Sequence, residues 1–184
     1  MNRRSLQIGF FLMIFSLTQT GLSAGGTTPG FNPNKNAYFG DLHIHTRLSF
    51  DAFIFRTRAS PDDAYRYAKG EPLTHAAGYE MKLKGPPLDF LAVTDHAEYM
   101  GIVEKMADMS HPLSKLPLAE KVRSPRWRDG SAVFRRLGRD LYFGAPNDEF
   151  YKLDVIRSTW QRVIESADRH YQPGKFTTLY GYEF

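Results

Sequence analysis

The sequence predicts an α/β fold in which parallel strands are joined by helical crossovers. Three observations lead there. Residues 88–96, LDFLAVTDH, form a nearly continuous apolar run, and a strand apolar on both faces suits the buried interior of a parallel sheet. In YFGDLHIHT, residues 38–46, Leu42 and Ile44 alternate with Asp41, His43 and His45, the two-residue period of a strand with unlike faces. Helical spacings then separate these stretches from FTTLYGYEF at 176–184. Strand, helix, strand, helices, strand is the order that parallel crossovers require.

The chain opens with Arg3 and Arg4 before the apolar run IGFFLMIFSL, and small residues follow in GLSAGG. That is the order of a secretory signal peptide, here residues 1–24, which places the mature protein in the periplasm or outside the cell. The apolar run is about half of the roughly 20 residues that span a bilayer, and no later segment resembles a membrane span. Cleavage removes two arginines and no acid, leaving 22 basic and 20 acidic side chains and a net charge of +2 in place of +4. So small a surplus argues only weakly for nucleic acid or an anionic membrane, and no nucleic acid partner is expected. There is no cysteine, so an exported chain must hold together by packing or by bound metal.

Residues 25–36, GGTTPGFNPNKN, read as a flexible entry segment, and 37–184 as one domain or part of one. After the first strand, Ser60-Pro61-Asp62-Asp63 marks a helix start, with Ser60 as N-cap and acids at the positive dipole end. That helix is short and stops at Gly70. Gly85-Pro86-Pro87 leads into the second strand, 88–96. Residues 97–109 are expected to be helical, and 110–127, with three prolines, to be a loop excursion. A basic helix is expected over 129–143. Asn147 is the expected cap of a longer helix, where Leu153, Ile156, Trp160, Val163, Ile164 and Ala167 recur at spacings of three and four. Pro173-Gly174 ends it, and 176–182 supply the third strand. The order closes on a strand and an acid with no covering helix, the look of a domain's N-terminal part.

Each strand ends in groups that bind metals: His43 and His45, then Asp95 and His96, then Glu183. Sites in parallel α/β architectures form at the carboxyl ends of strands, so these groups are placed to converge. Imidazole nitrogen with carboxylate oxygen suits zinc, manganese or iron better than calcium or magnesium. Without cysteine, the usual structural zinc site is excluded, which favours a catalytic one. His75, His111 and His170 lie outside these strand ends and read as surface or packing histidines. Lys121, Arg123, Arg126, Arg128, Arg135, Arg136 and Arg139, with Trp127 among them, read first as a solvated face. An anion-attracting patch is the alternative, because arginine suits bidentate phosphate or sulfate contacts.

DLHIHT followed by LAVTDH resembles the first two motifs of the PHP (polymerase and histidinol phosphatase) superfamily of metallohydrolases. The flanking stretches YFGDLHIHTRLSFDA, LDFLAVTDHAEYMG and TTLYGYEF resemble an exported bacterial branch carried as a domain of unknown function. The resemblance implies the N-terminal portion of a distorted (β/α)7 barrel, incomplete in this chain, with two or three divalent ions in the complete site. It implies His43, His45, Asp51, His96 and Glu183 as metal ligands, with Glu183 bridging two ions. Asp41 and Asp95 are expected behind them, orienting imidazoles through their other ring nitrogens. The later motifs of the superfamily, with further histidines and an Asp-x-His pair, are not matched.

The implied activity is hydrolysis of a phosphoester or related ester, with a small anionic molecule as substrate and an activated water as nucleophile. No serine, threonine or cysteine nucleophile motif competes with it. The alternative is a truncated, non-catalytic remnant with at most weak metal binding, and on the motifs present this stretch alone is expected to be inactive. A polymerase-associated nuclease module is disfavoured by the export signal.

Overall fold

The computed structural model describes residues 36–144 and 149–184. The expected signal peptide, most of the entry segment and the Asn147 cap lie outside these residues. Ala37–Phe184 form one unit, and its architecture is mixed α/β: a small parallel sheet with helices packed against it, and no closed barrel among the described residues.

Strand β1 (Gly40–Ile44), β4 (Phe90–Val93) and β5 (Thr177–Tyr180) make the sheet in the order β1-β4-β5, all parallel. The apolar run takes the centre, with Leu91, Ala92 and Val93 all buried. Full burial of a Leu or Val side chain contributes about 1.5–3 kcal/mol, which fixes this strand in the middle. Strand β1 departs from simple alternation. Its register against β4 shifts between Asp41 and Ile44, the Asp41 carboxylate accepts the His43 N–H, and Leu42 is exposed. The irregularity leaves only Ile44 packed inward.

One face of the sheet is covered by α2 (Pro61–Ala68) and α6 (Leu153–His170). Leu91 and Val93 pack there with Tyr65, Ala68, Val163, Ala167 and Phe176. Helix α2 starts where the sequence places it: Ser60 accepts from the Asp63 N–H, and the Asp63 carboxylate accepts from the Ser60 N–H, a reciprocal capping box. Helix α6 begins later than expected, with Lys152 in the cap position. Its buried residues are Val155, Thr159, Val163, Ser166 and Ala167; Val163 and Ala167 belong to the expected stripe, and Ile156 and Trp160 pack against the core beside them. Leu153 is exposed, and the inward positions of Thr159 and Ser166 are not part of the hydrophobic pattern.

A second core is almost wholly helical. It joins α1 (Phe50–Ile54), α3 (Ile102–Ala107), α4 (Pro117–Arg123) and α5 (Trp127–Tyr142) through Phe50, Ile102, Val103, Met106, Val122, Val133 and Leu137. The expected loop at 110–127 is mostly helical: a 3-10 turn at Pro112–Lys115 precedes α4. Pro112 and Pro117 sit at first-turn positions, where a missing N–H costs nothing, and so they start helices there. Conversely, the helix expected from residue 97 begins only at Ile102. Tyr99 and Gly101 hold positive φ, which no helix tolerates, and residues 94–101 form a loop instead. A short hairpin of β2 (Leu73–Thr74) and β3 (Glu80–Met81) completes the fold. No helix among the described residues is long and apolar enough to cross a membrane.

Candidate metal centre

The three parallel strands deliver their polar ends to one place. The backbone explains why. Thr94 N–H donates to the Ile44 carbonyl (2.8 Å), and Ile44 N–H to Thr94 Oγ1 (3.0 Å), so His45 and the 94–96 turn leave the sheet side by side. Beyond β5, Glu183 N–H donates to the Asp95 carbonyl (3.2 Å) and Ala97 N–H to the Glu183 carbonyl (2.9 Å). This parallel bridge sets Glu183 against His96.

Side chains from four segments then meet. Glu183 Oε2 lies 2.6 Å from His45 Nε2, 3.2 Å from His43 Nε2 and 3.7 Å from His96 Nε2. Asp51 Oδ2 lies 3.0 Å from His45 Nδ1 and 3.8 Å from His96 Nε2. Two overlapping groups have ligand atoms close enough for one ion each: His43, His45 and Glu183, and His45, Asp51 and His96. All five residues expected as ligands are thus brought together. His43 stands at the open rim, whereas His45 is largely enclosed.

The polar contacts behind the cluster differ from expectation. Asp51, not Asp41 or Asp95, lies against the second ring nitrogen of a histidine: its carboxylate is in hydrogen-bond contact with His45 Nδ1 at 3.0 Å and also accepts from Ser49 Oγ and the Ala52 N–H, both at 2.6 Å. Asp41 spends its carboxylate on the His43 backbone. Asp95 is fully buried and accepts from the Thr46 N–H (2.5 Å) and the Thr46 hydroxyl (2.7 Å). It therefore acts on the turn after β1 and not on an imidazole. Asp95 is fully buried, a depth that its place in a T-D-H triplet does not reveal.

Electrostatics follow from these bonds. The Asp51 hydrogen bond pushes the His45 imidazole above its ordinary pKa, against the opposing pull of burial. Burial works against the Asp51 charge, yet the donors His45, Ser49 and Ala52 outweigh it and hold the carboxyl far below the usual range. Burial pushes the Asp95 carboxyl upward, and the two Thr46 donors offset only part of that. Asp51 is therefore the carboxylate that stays anionic most firmly, as a cation site needs.

Other residues belong to the site without a signal in the sequence. Ser49 Oγ accepts the His96 N–H (3.1 Å) while donating to Asp51, and so links the first and second strand ends. The Phe50 ring packs against the His96 ring at 4.9 Å between centroids. Glu98 reaches back to His96 Nδ1 at 3.6 Å. Only Glu98, two residues past the T-D-H triplet, is chemically suggestive at the level of sequence.

The remaining histidines lie elsewhere. His75 stacks on Tyr79, His111 caps the 3-10 turn by accepting the Leu113 N–H, and His170 packs against Tyr65. Several of the basic residues serve structure: Arg123 donates to the Met106 and Ser114 carbonyls, and Arg126 and Arg136 pair with Asp129 and Asp140. A groove of about 1010 Å³ runs along α5 past Phe134, Arg135 and Arg139 and includes none of the clustered ligands. The chemistry and the groove are separate features.

A family described as protein of unknown function (DUF3604) matches residues 32–184. The chain belongs to that family. The match takes in all five clustered residues and both strand-end motifs. No curated protein and no solved structure matches the chain.

Proposed function

We propose that this DUF3604 chain is a metal-dependent hydrolase of the PHP type, acting on phosphoesters or related esters outside the cytoplasm, with manganese, zinc or iron in the cluster. One observation carries the reading. His45 Nε2 and Glu183 Oε2 are both shut off from solvent and face each other at 2.6 Å. With the Nδ1 proton engaged by Asp51, the two atoms point lone pairs at one another, an arrangement that a shared cation relieves. His43 completes one ligand group with these two residues, and Asp51 and His96 form a second group with His45.

The donor set fits a divalent ion of borderline softness. Such an ion supplies Lewis acidity, lowering the pKa of a water and polarising the ester oxygens. The chain's own residues do the rest. His45 donates Nδ1–H to Asp51, which keeps its Nε2 lone pair directed at Glu183. Asp51 stays anionic and offsets positive charge in the enclosed part of the site. Glu183, partly exposed between His43 and His45, would hold an ion together with them. The rim at His43 is the open side, from which a small anionic ester enters.

Metal content settles the reading. In the purified full chain, His43→Ala and His45→Ala are each expected to lose bound metal, and manganese- or zinc-dependent turnover of an aryl phosphomonoester or phosphodiester with it. His75→Ala, outside the cluster, is expected to keep both. Equal metal content in all three variants overturns the proposal.

A further inference from the structure

Glu98 sits in the loop between β4 and α3, two residues after His96. Its Oε2 is shut off from solvent and has no hydrogen-bond partner, a costly condition for a carboxylate oxygen. It stands 3.6 Å from His96 Nδ1. The other nitrogen of that ring points the opposite way, with Nε2 lying 3.8 Å from Asp51 Oδ2 and 3.7 Å from Glu183 Oε2. The ring therefore presents one nitrogen to the ligand cluster and the other to a carboxylate with nothing else to accept. His45 repeats the pattern, with Asp51 on Nδ1 and Nε2 toward Glu183.

We infer that Glu98 is the positioning residue of His96: it accepts the Nδ1 proton and so leaves the Nε2 lone pair directed into the cluster. Which imidazole nitrogen carries the proton is set by the hydrogen bond its partner nitrogen makes. Carboxylates behind metal-ligating histidines fix both tautomer and ring orientation in this way. A separation of 3.6 Å is longer than a formed hydrogen bond. A small rotation of the Glu98 carboxylate closes it, because Oε2 holds no competing bond, and bonds of this kind shorten when a site engages its ligand. The ring itself is already held. Phe50 packs on its face, and the His96 N–H is tied to Ser49. Only the choice of nitrogen is left for Glu98 to make.

The consequence for metal binding rests on the proposed function, but the tautomer does not. The test separates the two. Full-length protein labelled with nitrogen-15 in histidine, stripped with EDTA and kept mildly alkaline, is read by long-range proton–nitrogen correlation. The expected result is an Nδ1–H tautomer for His96, lost toward the Nε2–H form in Glu98→Ala and retained in Glu98→Gln, whose amide oxygen still accepts. Titration with zinc or manganese ions is expected to show about a 10- to 100-fold loss of affinity in Glu98→Ala, with most of it recovered in Glu98→Gln. An Nε2–H tautomer in the unaltered protein, or a tautomer indifferent to Glu98→Ala, overturns the inference. If the tautomer moves as expected while neither Glu98→Ala nor His96→Ala changes metal affinity, the pairing stands and the metal reading falls.

Discussion

Gly101 is the point where the loop carrying His96 meets the helical layer, and replacing it tests the packing of the site directly. Its φ is +74°, a region where an L residue costs about 1–2 kcal/mol. A Cβ built there falls 2.9 Å from Thr159 Cγ2 on α6 and closer still to Thr159 Oγ1. Thr159 is buried, so it cannot swing away, and overpacking of this kind costs about 1–3 kcal/mol. Gly101→Ala is therefore expected to destabilise by about 2–5 kcal/mol, a large share of the roughly 5–15 kcal/mol that holds a domain together. The Gly101 N–H also donates to the Leu48 carbonyl at 2.7 Å, so the strain reaches the turn after His45 as well. Urea titrations followed by circular dichroism measure the cost. In a Thr159→Ala background the two closest contacts vanish and the Cβ contact at 3.0 Å remains, so the same change is expected to cost little beyond the backbone part, about 1–2 kcal/mol. Equal costs in both backgrounds, which means no coupling, refute the steric argument. A neutral Gly101→Ala refutes the backbone argument too.

Two other changes have outcomes that follow from the bonding. Asp95→Ala leaves the Thr46 N–H and hydroxyl buried without an acceptor, and at about 1–3 kcal/mol for each orphaned group it is expected to destabilise strongly in urea. Asp95→Asn, which keeps one accepting oxygen, is expected to cost less. His170 gives a pH dependence. Burial and the neighbouring Lys69 ammonium lower its pKa from 6.5, outweighing Asp62; Nδ1 lies 2.9 Å from Lys69 Nζ and Nε2 3.0 Å from Asp62, with Arg169 also near and Tyr65 stacked on the ring. A depressed value means that the unfolded state binds the proton more readily, so stability is complete above 6.5 and falls as pH drops through the lowered native value. Urea midpoints measured between about pH 5 and 8 are expected to show that slope, and His170→Gln is expected to flatten it.

How far the sequence could be read depends on where the information lies. The central strand was legible because Leu91, Ala92 and Val93 are apolar on both faces, a pattern with one structural meaning. The capping box at Ser60 and Asp63 was legible because it is a local bond. His43, His45, His96 and Glu183 could be chosen because three strands end in ligand types and parallel strands bring their ends together, whereas Asp51, on a helix, came only from the family resemblance. Contacts made across the fold were not legible. Asp95 bonds Thr46, Ser49 ties Asp51 to the His96 backbone, and Thr159 and Ser166 point inward, all by tertiary placement. The prolines at 112 and 117 misled in another way: the same residue that breaks a helix interior starts a helix at its first turn. Signal cleavage and the later motifs of a complete barrel fall beyond what the described residues address.

The position of β4 between β1 and β5 has a consequence for the order of events in folding. Glu183 and the paired histidines come from opposite ends of the described chain and face each other only once both outer strands have registered against β4. Parallel, non-local pairing of this sort is slow. Until it is complete, His43, His45 and Asp51 on their own make a weak and open set of ligands. The ion proposed for the cluster would therefore arrive after that pairing and contribute little to the speed of folding. Its stabilisation would fall on the native side of the barrier, where it would slow opening instead. Such a metal would work as a clasp on a finished sheet and not as a seed for it, and its loss would be felt first in the lifetime of the folded protein.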